Sequence, residues 1–255
     1  MKSTFSIFAA AVCFSLSLVQ AADNYSLWPR RPAELEQARR LVAERKGGEA
    51  VHLIQPYLRE NGIAGREARQ IAGSVNVPRY LSRLHPKAQV YTVQRGDTLV
   101  KIAAVQKCPL DLLMLLNGVV DPGGLKIGQK LVLVPMELQM EIRPKQREVC
   151  VWHGDTLVAD YNLNSVDGLK KSAYGNTELA ARDGYLQGAR LPARSFQYPA
   201  SDRVLVLANG VSLAGEQNVS GAVLRMNQQE LNELALLLGV GNSVSIIDEA
   251  PVAGK

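Results

Sequence analysis

The stretch from residue 91 to residue 135 constrains the fold most, because turn signals divide it into a strand, two helices and a second strand. Asp97 or Thr98 can cap the first helix, and Asn117-Gly118 is typical of a helix end. The pattern predicts a βααβ unit. Its successive parts are Tyr91-Thr92-Val93, Gly96-Asp97-Thr98-Leu99, Pro109 with Leu112, Leu113, Leu115 and Leu116, Asp121-Pro122-Gly123-Gly124, and Val132-Leu133-Val134-Pro135.

Three strings in this stretch resemble the LysM domain family. They are Tyr-Thr-Val-x-x-Gly-Asp-Thr-Leu, Leu-x-x-x-Asn-Gly and Leu-x-x-Gly-Gln-x-Leu, in that order. The resemblance implies two helices on one side of a two-stranded antiparallel sheet. It also implies binding to polymers that contain N-acetylglucosamine, here the glycan strands of peptidoglycan.

The family's groove implies a carbohydrate-binding site between two loops of this stretch. Glycines there let the backbone approach a sugar closely, although Gly96 and Gly128 could equally serve only to shape their turns. A neutral sugar needs backbone donors and acceptors and an apolar platform, without a catalyst. The implied contact residues are Gly96, Asp97, Thr98, Leu99, Gly123, Gly124, Leu125, Lys126 and Ile127.

The pattern of the N-terminus predicts a secretory signal peptide over residues 1–21. Lys2 precedes an apolar run from Phe5 to Val19, and cleavage is expected after Ala21, because Val19-Gln20-Ala21 has small residues at the two positions that a signal peptidase recognises. An uncleaved anchor is the alternative, but the run is shorter than the roughly 20 residues that a span needs. We expect an exported protein, in the periplasm or associated with the cell wall, without a transmembrane span after cleavage.

Residues 22–89 are predicted as a helical segment followed by a linker. Helix-spaced apolar residues follow Pro32, Gly47-Gly48 breaks the chain, a second helix runs to Asn61-Gly62, and a third covers Ala64 to Ala72. A small helical bundle is preferred over a single tetratricopeptide unit, which could not bury a core by stacking. The linker is predicted for residues 76–90.

Charge and cysteine content exclude some classes of protein. The formal net charge is +5, but the basic residues of the helical segment alternate with acids, which predicts a salt-bridged helix surface and no nucleic-acid site. Cys108 and Cys150 remain after cleavage, and they are predicted to be two separate buried thiols, with a disulfide as the alternative.

Residues 138–249 are predicted as a β-rich domain, with a tail at 250–255. The expected elements are a hairpin turning at His153-Gly154-Asp155, a loop-rich stretch with four glycines, and a buried strand at 204–207. A capping box at Asn227-Gln228-Gln229-Glu230 then begins a helix, and Val244 to Ile247 forms the last strand.

The end of this domain resembles the catalytic half of an L,D-transpeptidase. That family has Ile-His-Gly after the first strand and Ser-His-Gly-Cys-x-Arg-Met at the nucleophile. Here Ala208-Asn209-Gly210 stands at the first position and Ser220-Gly221-Ala222-Val223-Leu224-Arg225-Met226 at the second. The vestigial catalytic region implied is Asn209, Ser220, Gly221, Val223 and Arg225.

Three departures from that motif predict the loss of catalysis. The reaction needs a thiolate activated by a base, whereas Val223 replaces the cysteine and Asn209 and Gly221 replace the two histidines. Rescue by Ser220, or by Cys150 with His153, is the open alternative. Arg225 is expected to have a structural role, or else to hold a peptide carboxylate.

The predicted fold class is multidomain α+β: a short helical N-terminal segment, a βααβ LysM module at 90–136 and a mainly-β L,D-transpeptidase-like C-terminal domain. The predicted function is peptidoglycan binding by a pseudoenzyme, without a cofactor or metal site. Two alternatives stay open. One is an active L,D-transpeptidase-like enzyme with a non-standard nucleophile, and the other is an envelope assembly factor that recruits a cell-wall enzyme or envelope protein.

Overall fold

The computed structural model describes residues 32–192 and 195–248, so the predicted signal peptide and tail lie outside the described residues. Three parts follow one another along the chain: a helical segment (residues 32–80), a central module (residues 89–134) and a barrel (residues 139–248). Within the described ranges, no helix combines the length and apolar character that crossing a membrane requires.

The helical segment contains more helix than the sequence predicts, and its first break lies elsewhere. Gly47 and Gly48 begin the second helix, and the chain turns just before them at Arg45, which has a φ of 63°. The prediction of a glycine break was therefore wrong. The second helix also ends before Asn61-Gly62, in a short 3-10 turn. The elements are α1 (Ala33–Ala43), α2 (Gly47–Ile54), the 3-10 turn Gln55–Tyr57 and α3 (Ile63–Tyr80).

Helix α3 continues through residues that were predicted as linker, so that prediction was wrong for residues 76–80. Pro78 lies in the last turn of α3, where it removes the backbone hydrogen bond that an N–H at this position would donate to the Ser74 carbonyl. Asn76 and Val77 are buried, and the Asn76 side-chain amide donates a 2.7 Å hydrogen bond to the Leu157 carbonyl of the barrel. Packing on the barrel thus extends a helix that its proline predicts to end.

The central module has the predicted βααβ order. Strands β1 and β2 pair antiparallel, with Gln89 opposite Leu133 and Thr92 opposite Lys130. The Thr98 hydroxyl caps α4 by accepting the Lys101 N–H, and Gly118, with a φ of 61°, ends α5 in the left-handed conformation. The elements are β1 (Gln89–Thr92), α4 (Leu99–Val105), α5 (Leu110–Asn117) and β2 (Lys130–Leu133).

The barrel is a nine-stranded sheet in the described part of the chain, ordered β11-β3-β4-β5-β10-β9-β8-β6-β7. Strand β11 also pairs with β6, so every strand except β7 belongs to a closed ring. The strands are β3 (Gln139–Arg143), β4 (Glu148–His153), β5 (Thr156–Asp167), β6 (Gly175–Leu186), β7 (Ala189–Leu191), β8 (Asp202–Leu207), β9 (Ser212–Ala214), β10 (Val223–Met226) and β11 (Ser243–Ile246), with helix α6 (Gln228–Leu237) before the last.

The barrel confirms the predicted hairpin, the strand at 204–207 and the helix start, but it corrects the loop-rich stretch. Gly175 and Gly184 belong to the long strand β6, which pairs with β8 and β11. A side chain at Gly184 would lie 2.3 Å from the Ser201 hydroxyl oxygen, so glycine is required there for close packing. At the helix start, the Asn227 side chain accepts the N–H groups of Gln229 and Glu230.

The helical segment packs against the outside of the barrel and does not form a separate bundle. Leu35, Ile54 and Ala72 share one apolar cluster with Cys150, Trp152 and Leu157 of β4 and β5. Gly73 permits this approach, because a side chain there would come within 3.3 Å of the Asp160 backbone nitrogen. The apolar face of the helices is thus covered by the chain's own sheet.

Candidate functional site

The two loops of the predicted groove meet at one end of the central module. The Val93 N–H donates to the Gln129 carbonyl at 2.9 Å, and the Gly128 N–H donates to the Val93 carbonyl at 2.9 Å. These two bonds extend the β1–β2 pairing beyond Thr92 and Lys130. The loop from 93 to 98 and the loop from 118 to 129 therefore begin and end side by side.

The first loop is held by the side chains of two of its own residues. The Asp97 carboxylate accepts the Gln94 N–H at 2.8 Å and the Tyr91 hydroxyl at 2.8 Å. These bonds, led by the Gln94 N–H, hold the pKa of Asp97 below its ordinary value. Gly96 makes the turn with a φ of 86°, which glycine adopts without strain. Asp97 and Thr98 thus shape the loop, and Gly96 presents bare backbone to solvent.

The second loop is built in the same way. The Asp121 carboxylate accepts the Gly123 N–H at 2.9 Å, and the Lys126 N–H donates to the Gln129 side chain at 3.1 Å. Gly123 and Gly124 are exposed, and Ile127 leaves 72% of its surface in solvent. An exposed isoleucine between backbone amides provides the apolar platform and the polar groups that a sugar with acetamido substituents requires.

Not every predicted contact residue faces solvent. Leu99 is only 1% exposed and belongs to the core of the module, and Leu125 packs against that core. Their side chains position the loops. Those that remain accessible are Gly96, Thr98, Gly123, Gly124, Lys126 and Ile127.

A second loop cluster lies at one edge of the barrel, where the structure brings the predicted vestigial region together. A side chain at Gly221 would lie 3.9 Å from the Gly210 carbonyl, and one at Gly168 would lie 3.4 Å from the Gly221 carbonyl. All three glycines have positive φ, at 68°, 83° and 97° for Gly168, Gly210 and Gly221. Three segments that are separate in sequence thus converge here.

The side chains in this second cluster have structural partners. The Asn209 amide donates to the Ala173 carbonyl at 3.0 Å and accepts the Val211 N–H at 3.2 Å. Val223 is 3% exposed and packs with Val204 and Ala214, while Ser220 is exposed. The position of the motif's nucleophile is therefore part of an apolar core.

Arg225 holds a neighbouring loop in place by hydrogen bonds to its backbone. Its Nη1 donates to the carbonyls of Gly215 and Gln217, both at 2.7 Å, and its Nε lies 3.7 Å from an Asp167 carboxylate oxygen. These contacts fit the expected structural role. Arg225 also lines a polar cavity of about 570 Å³ together with Asn164, Asp202, Gln217, Gln228 and Gln229.

Residues 91–134 match the LysM domain family. This segment is a LysM domain. The match covers both loops, from Tyr91 before the first to Val134 after β2.

Solved structures that align with the chain include three L,D-transpeptidases. Transpeptidase 1 from Mycobacterium tuberculosis is 10% identical, with a TM-score of 0.30 over 47% of this chain and 66% of that one. The enzyme from Mycobacterium smegmatis is 12% identical, with a TM-score of 0.29 over 48% and 64%. The enzyme from Xylanimonas cellulosilytica is 13% identical, with a TM-score of 0.31 over 61% and 97%.

This chain spans less than two thirds of the length of the two mycobacterial enzymes. TM-scores this low support no statement about the chemistry of the barrel. The chemistry open to the barrel depends on its own side chains.

Cys108 and Cys150 are free and buried, as predicted. Burial raises the pKa of Cys108 to about 11 and that of Cys150 well above its ordinary value. Cys150 lies beneath α3 and its thiol donates to Asp160, opposite it on β5, at 3.5 Å. The sulfur is therefore a neutral thiol without access to a substrate.

Around Cys150 lies a buried charge cluster that the sequence does not reveal. Ligand atoms of Glu148, Cys150 and Asp160 lie within 4.8 Å of one another, which is close enough for a metal ion. Glu148 is already paired with Arg69 at 2.7 Å and Arg66 at 3.2 Å, so guanidinium groups balance its charge. Burial, together with the charge of Glu148, raises the pKa of Asp160 to about 7.

The LysM domain and the barrel are joined by a second buried ion cluster. Asp111 of α5 contacts Arg203 at 2.6 Å and Arg182 at 3.1 Å, and all three side chains are at most 7% exposed. Tyr198 of the barrel enters the LysM core, and Leu112 of α5 enters the barrel core. The sequence signal for this junction is a lone acid in the apolar run of α5.

Proposed function

We propose that this chain is an exported protein that binds the glycan strands of peptidoglycan through its LysM domain, and that its barrel does not catalyse transpeptidation. The observation that carries the proposal is the LysM match, in which both groove loops are complete and open to solvent at one end of the domain. The proposed location is the periplasm or the cell wall, since peptidoglycan lies outside the cytoplasm.

The proposed ligand is a strand that contains N-acetylglucosamine. Its acetamido groups would bind the backbone amides and carbonyls at Gly96, Gly123 and Gly124, and its apolar ring face would pack on Ile127. Asp97, Thr98, Leu99 and Leu125 would hold the two loops in place. A single site of this size and polarity is expected to bind weakly.

The side chains of the barrel support the absence of transpeptidase catalysis. Nucleophilic catalysis needs a nucleophile within hydrogen-bonding reach of a base, exposed to its substrate. The Val223 isopropyl group is in the core, Gly221 has no side chain, and an amide such as that of Asn209 does not act as a base near neutral pH. The barrel is proposed to be a scaffold on which the LysM domain is fixed.

The two alternative nucleophiles, Cys150 and Ser220, are both poorly suited to catalysis. Cys150 is inaccessible and its thiol stays protonated. Ser220 is exposed, but no hydrogen bond joins it to any of the three histidines in residues 32–192 and 195–248. For the assembly-factor alternative, a partner enzyme would have to contact the polar outer surface of the helical segment, because its apolar face is covered.

The test is sedimentation of residues 22–255 with purified peptidoglycan sacculi, followed by mass spectrometry of the muropeptides. The wild-type protein is expected to sediment and to leave the muropeptides unchanged. Ile127→Asp should remain largely in the supernatant. Val105→Asp, at an exposed valine of the same domain away from both loops, should sediment like wild type.

Two results would contradict the proposal. New cross-links or shortened stem peptides would establish that the barrel is an active enzyme. Wild-type protein that stays in the supernatant would refute glycan binding.

A further inference from the structure

The groove end of the LysM domain carries four exposed basic side chains. Arg95 precedes Gly96 in the first loop, and Lys101 lies in the first turn of α4 directly after it. Lys126 lies in the second loop, and Lys130 begins β2 opposite Thr92. All four therefore lie in the groove loops or within a few residues of them.

None of these four cations has an ion-pair partner in the part of the chain that the structure describes. The fifth basic residue of the domain, Lys107, lies after α4, away from the groove loops, and pairs with Glu137. Exposed cations elsewhere on the chain are of both kinds: Lys46 and Arg190 have acidic partners, whereas Arg40 and Arg79 form no ion pair within the described residues. Unpaired positive charge thus surrounds the groove.

The acids of the domain offset this charge only in part. Asp111 is at the junction with the barrel, where two arginines face it. Asp97 and Asp121 belong to the groove loops, and both carboxylates accept hydrogen bonds from their own loops. Four cations against these two acids leave a net positive charge at the groove.

We infer that the site selects N-acetylhexosamine strands that carry carboxylates over neutral strands of the same sugar. This inference rests on the proposed glycan binding and names the ligand class more narrowly. A neutral N-acetylglucosamine polymer makes no use of cations beside its groove. Muramic acid supplies a lactyl carboxylate on every second sugar where no stem peptide is attached. Where a stem peptide is attached, the lactyl carboxyl is an uncharged amide and the carboxylates of the peptide take its place.

Electrostatic attraction between these groups has a defined physical signature. Charges at the edge of a binding site mainly raise the association rate and make binding depend on the salt concentration. They add little to the affinity at high salt. Because the four side chains are exposed, each contributes modestly and is screened by salt within about 10 Å at about 0.1 M. The selectivity should therefore be strong in dilute buffer and weak in concentrated salt.

The experiment measures binding of residues 22–255 to two matched ligands. One is a set of glycan strands stripped of stem peptides, so that the lactyl carboxylates are free. The other is the same strands with those carboxylates converted to methylamides. At about 0.05 M salt the carboxylated strands should bind about tenfold more tightly, and at about 0.5 M salt the two affinities should converge.

A triple variant tests whether the cations beside the groove cause the difference in affinity. Arg95→Gln, Lys101→Gln and Lys130→Gln together should reduce the ratio of the two affinities to about twofold or less at low salt. A matched variant removes the same charge from the helical segment and the turn that follows it, by Arg40→Gln, Arg79→Gln and Arg83→Gln, and should keep the wild-type ratio. All six side chains are exposed, so both proteins should fold.

Each remaining outcome decides one question. Equal binding of both strands by the wild-type protein would overturn the inference and leave glycan binding intact. Failure to bind either strand would refute the proposed function itself. Binding of polyglutamate as tightly as the carboxylated strands would also overturn the inference, because the charge would then act without sugar recognition.

Discussion

The LysM domain and the second loop cluster of the barrel share a backbone feature but differ in the side chains around it. Both place glycines of positive φ in converging loops, such as Gly96 in the first and Gly221 in the second. In the LysM domain those loops surround an exposed isoleucine and unpaired cations. In the barrel they surround Asn209, whose amide is engaged with backbone, and Val223, which is in the core. Converging glycine loops therefore do not by themselves define an active site, because the side chains between them decide the chemistry.

The two regions are nevertheless one mechanical unit, because α5 contributes to both cores. The LysM domain is therefore either stable through its own core alone or dependent on its contact with the barrel. The junction at Asp111 gives the sharpest way to separate them.

Asp111→Ala is expected to have the largest effect on stability. It leaves Arg182 and Arg203 buried without their carboxylate, and such a loss costs about 3–5 kcal/mol. Chemical unfolding should show either one weakened transition or two separate ones, the first being the LysM domain. Glu137→Gln breaks the exposed pair with Lys107 at the same junction and should cost less than about 0.5 kcal/mol. Equal costs for the two variants would mean that the buried cluster does not hold the regions together.

A second comparison concerns how two aspartates of these regions respond to pH. Asp97 in the LysM loop has a lowered pKa because N–H and O–H groups donate to it, whereas burial raises the pKa of Asp160 in the barrel to about 7. Asp97 therefore stabilises the fold above its unfolded pKa, and this contribution is lost as the pH falls. The contribution of Asp160 has the opposite sign: it is present below pH 3.8 and is lost as the pH rises towards about 7.

Asp160→Asn should therefore remove a loss of stability on going from pH 4 to pH 8. The full shift corresponds to at most about 4 kcal/mol, since each pKa unit is about 1.36 kcal/mol. Asparagine keeps an oxygen that accepts the Cys150 thiol, so the packing is preserved. Thermal unfolding between pH 4 and pH 8 measures the difference, with Asp97→Asn as the control that should weaken the protein at neutral pH. A wild-type protein whose stability does not fall over this range relative to Asp160→Asn would contradict the raised pKa.

The sequence predicts the LysM domain far better than the barrel, and the reason is physical. In the LysM domain the signals are local: the Thr98 hydroxyl caps the helix that begins at the next residue by accepting an N–H three residues away, and Gly118 ends the second helix directly. In the barrel, β6 is recognisable only from its partners β8 and β11, and its Gly184 is explained by Ser201 of a distant segment.

The same contrast applies to the candidate sites. Turn residues predict the two loops of the LysM domain, but the groove between them, like the convergence of the Asn209 and Gly221 loops, is implied only by a family resemblance. Neither buried ion cluster could be predicted, since Asp111 pairs with residues 71 and 92 positions away. The extension of α3 through Pro78 likewise depends on contact with β5.

The smallest expected effect compares one glycine from each region. Gly96→Ala and Gly221→Ala both place a side chain at a φ near 90°, which costs about 1–2 kcal/mol for a residue other than glycine. Neither alanine would meet a close neighbour, so their effects on thermal stability should be similar. Only Gly96→Ala should weaken sedimentation with peptidoglycan, because only that loop is proposed to approach a sugar. If Gly221→Ala lowered binding as much as Gly96→Ala, the barrel cluster would be a second ligand site and the contrast between the two regions would fail. If neither did, Gly96 would serve only to shape its turn, and the backbone contacts would have to come from the loop at Gly123 and Gly124.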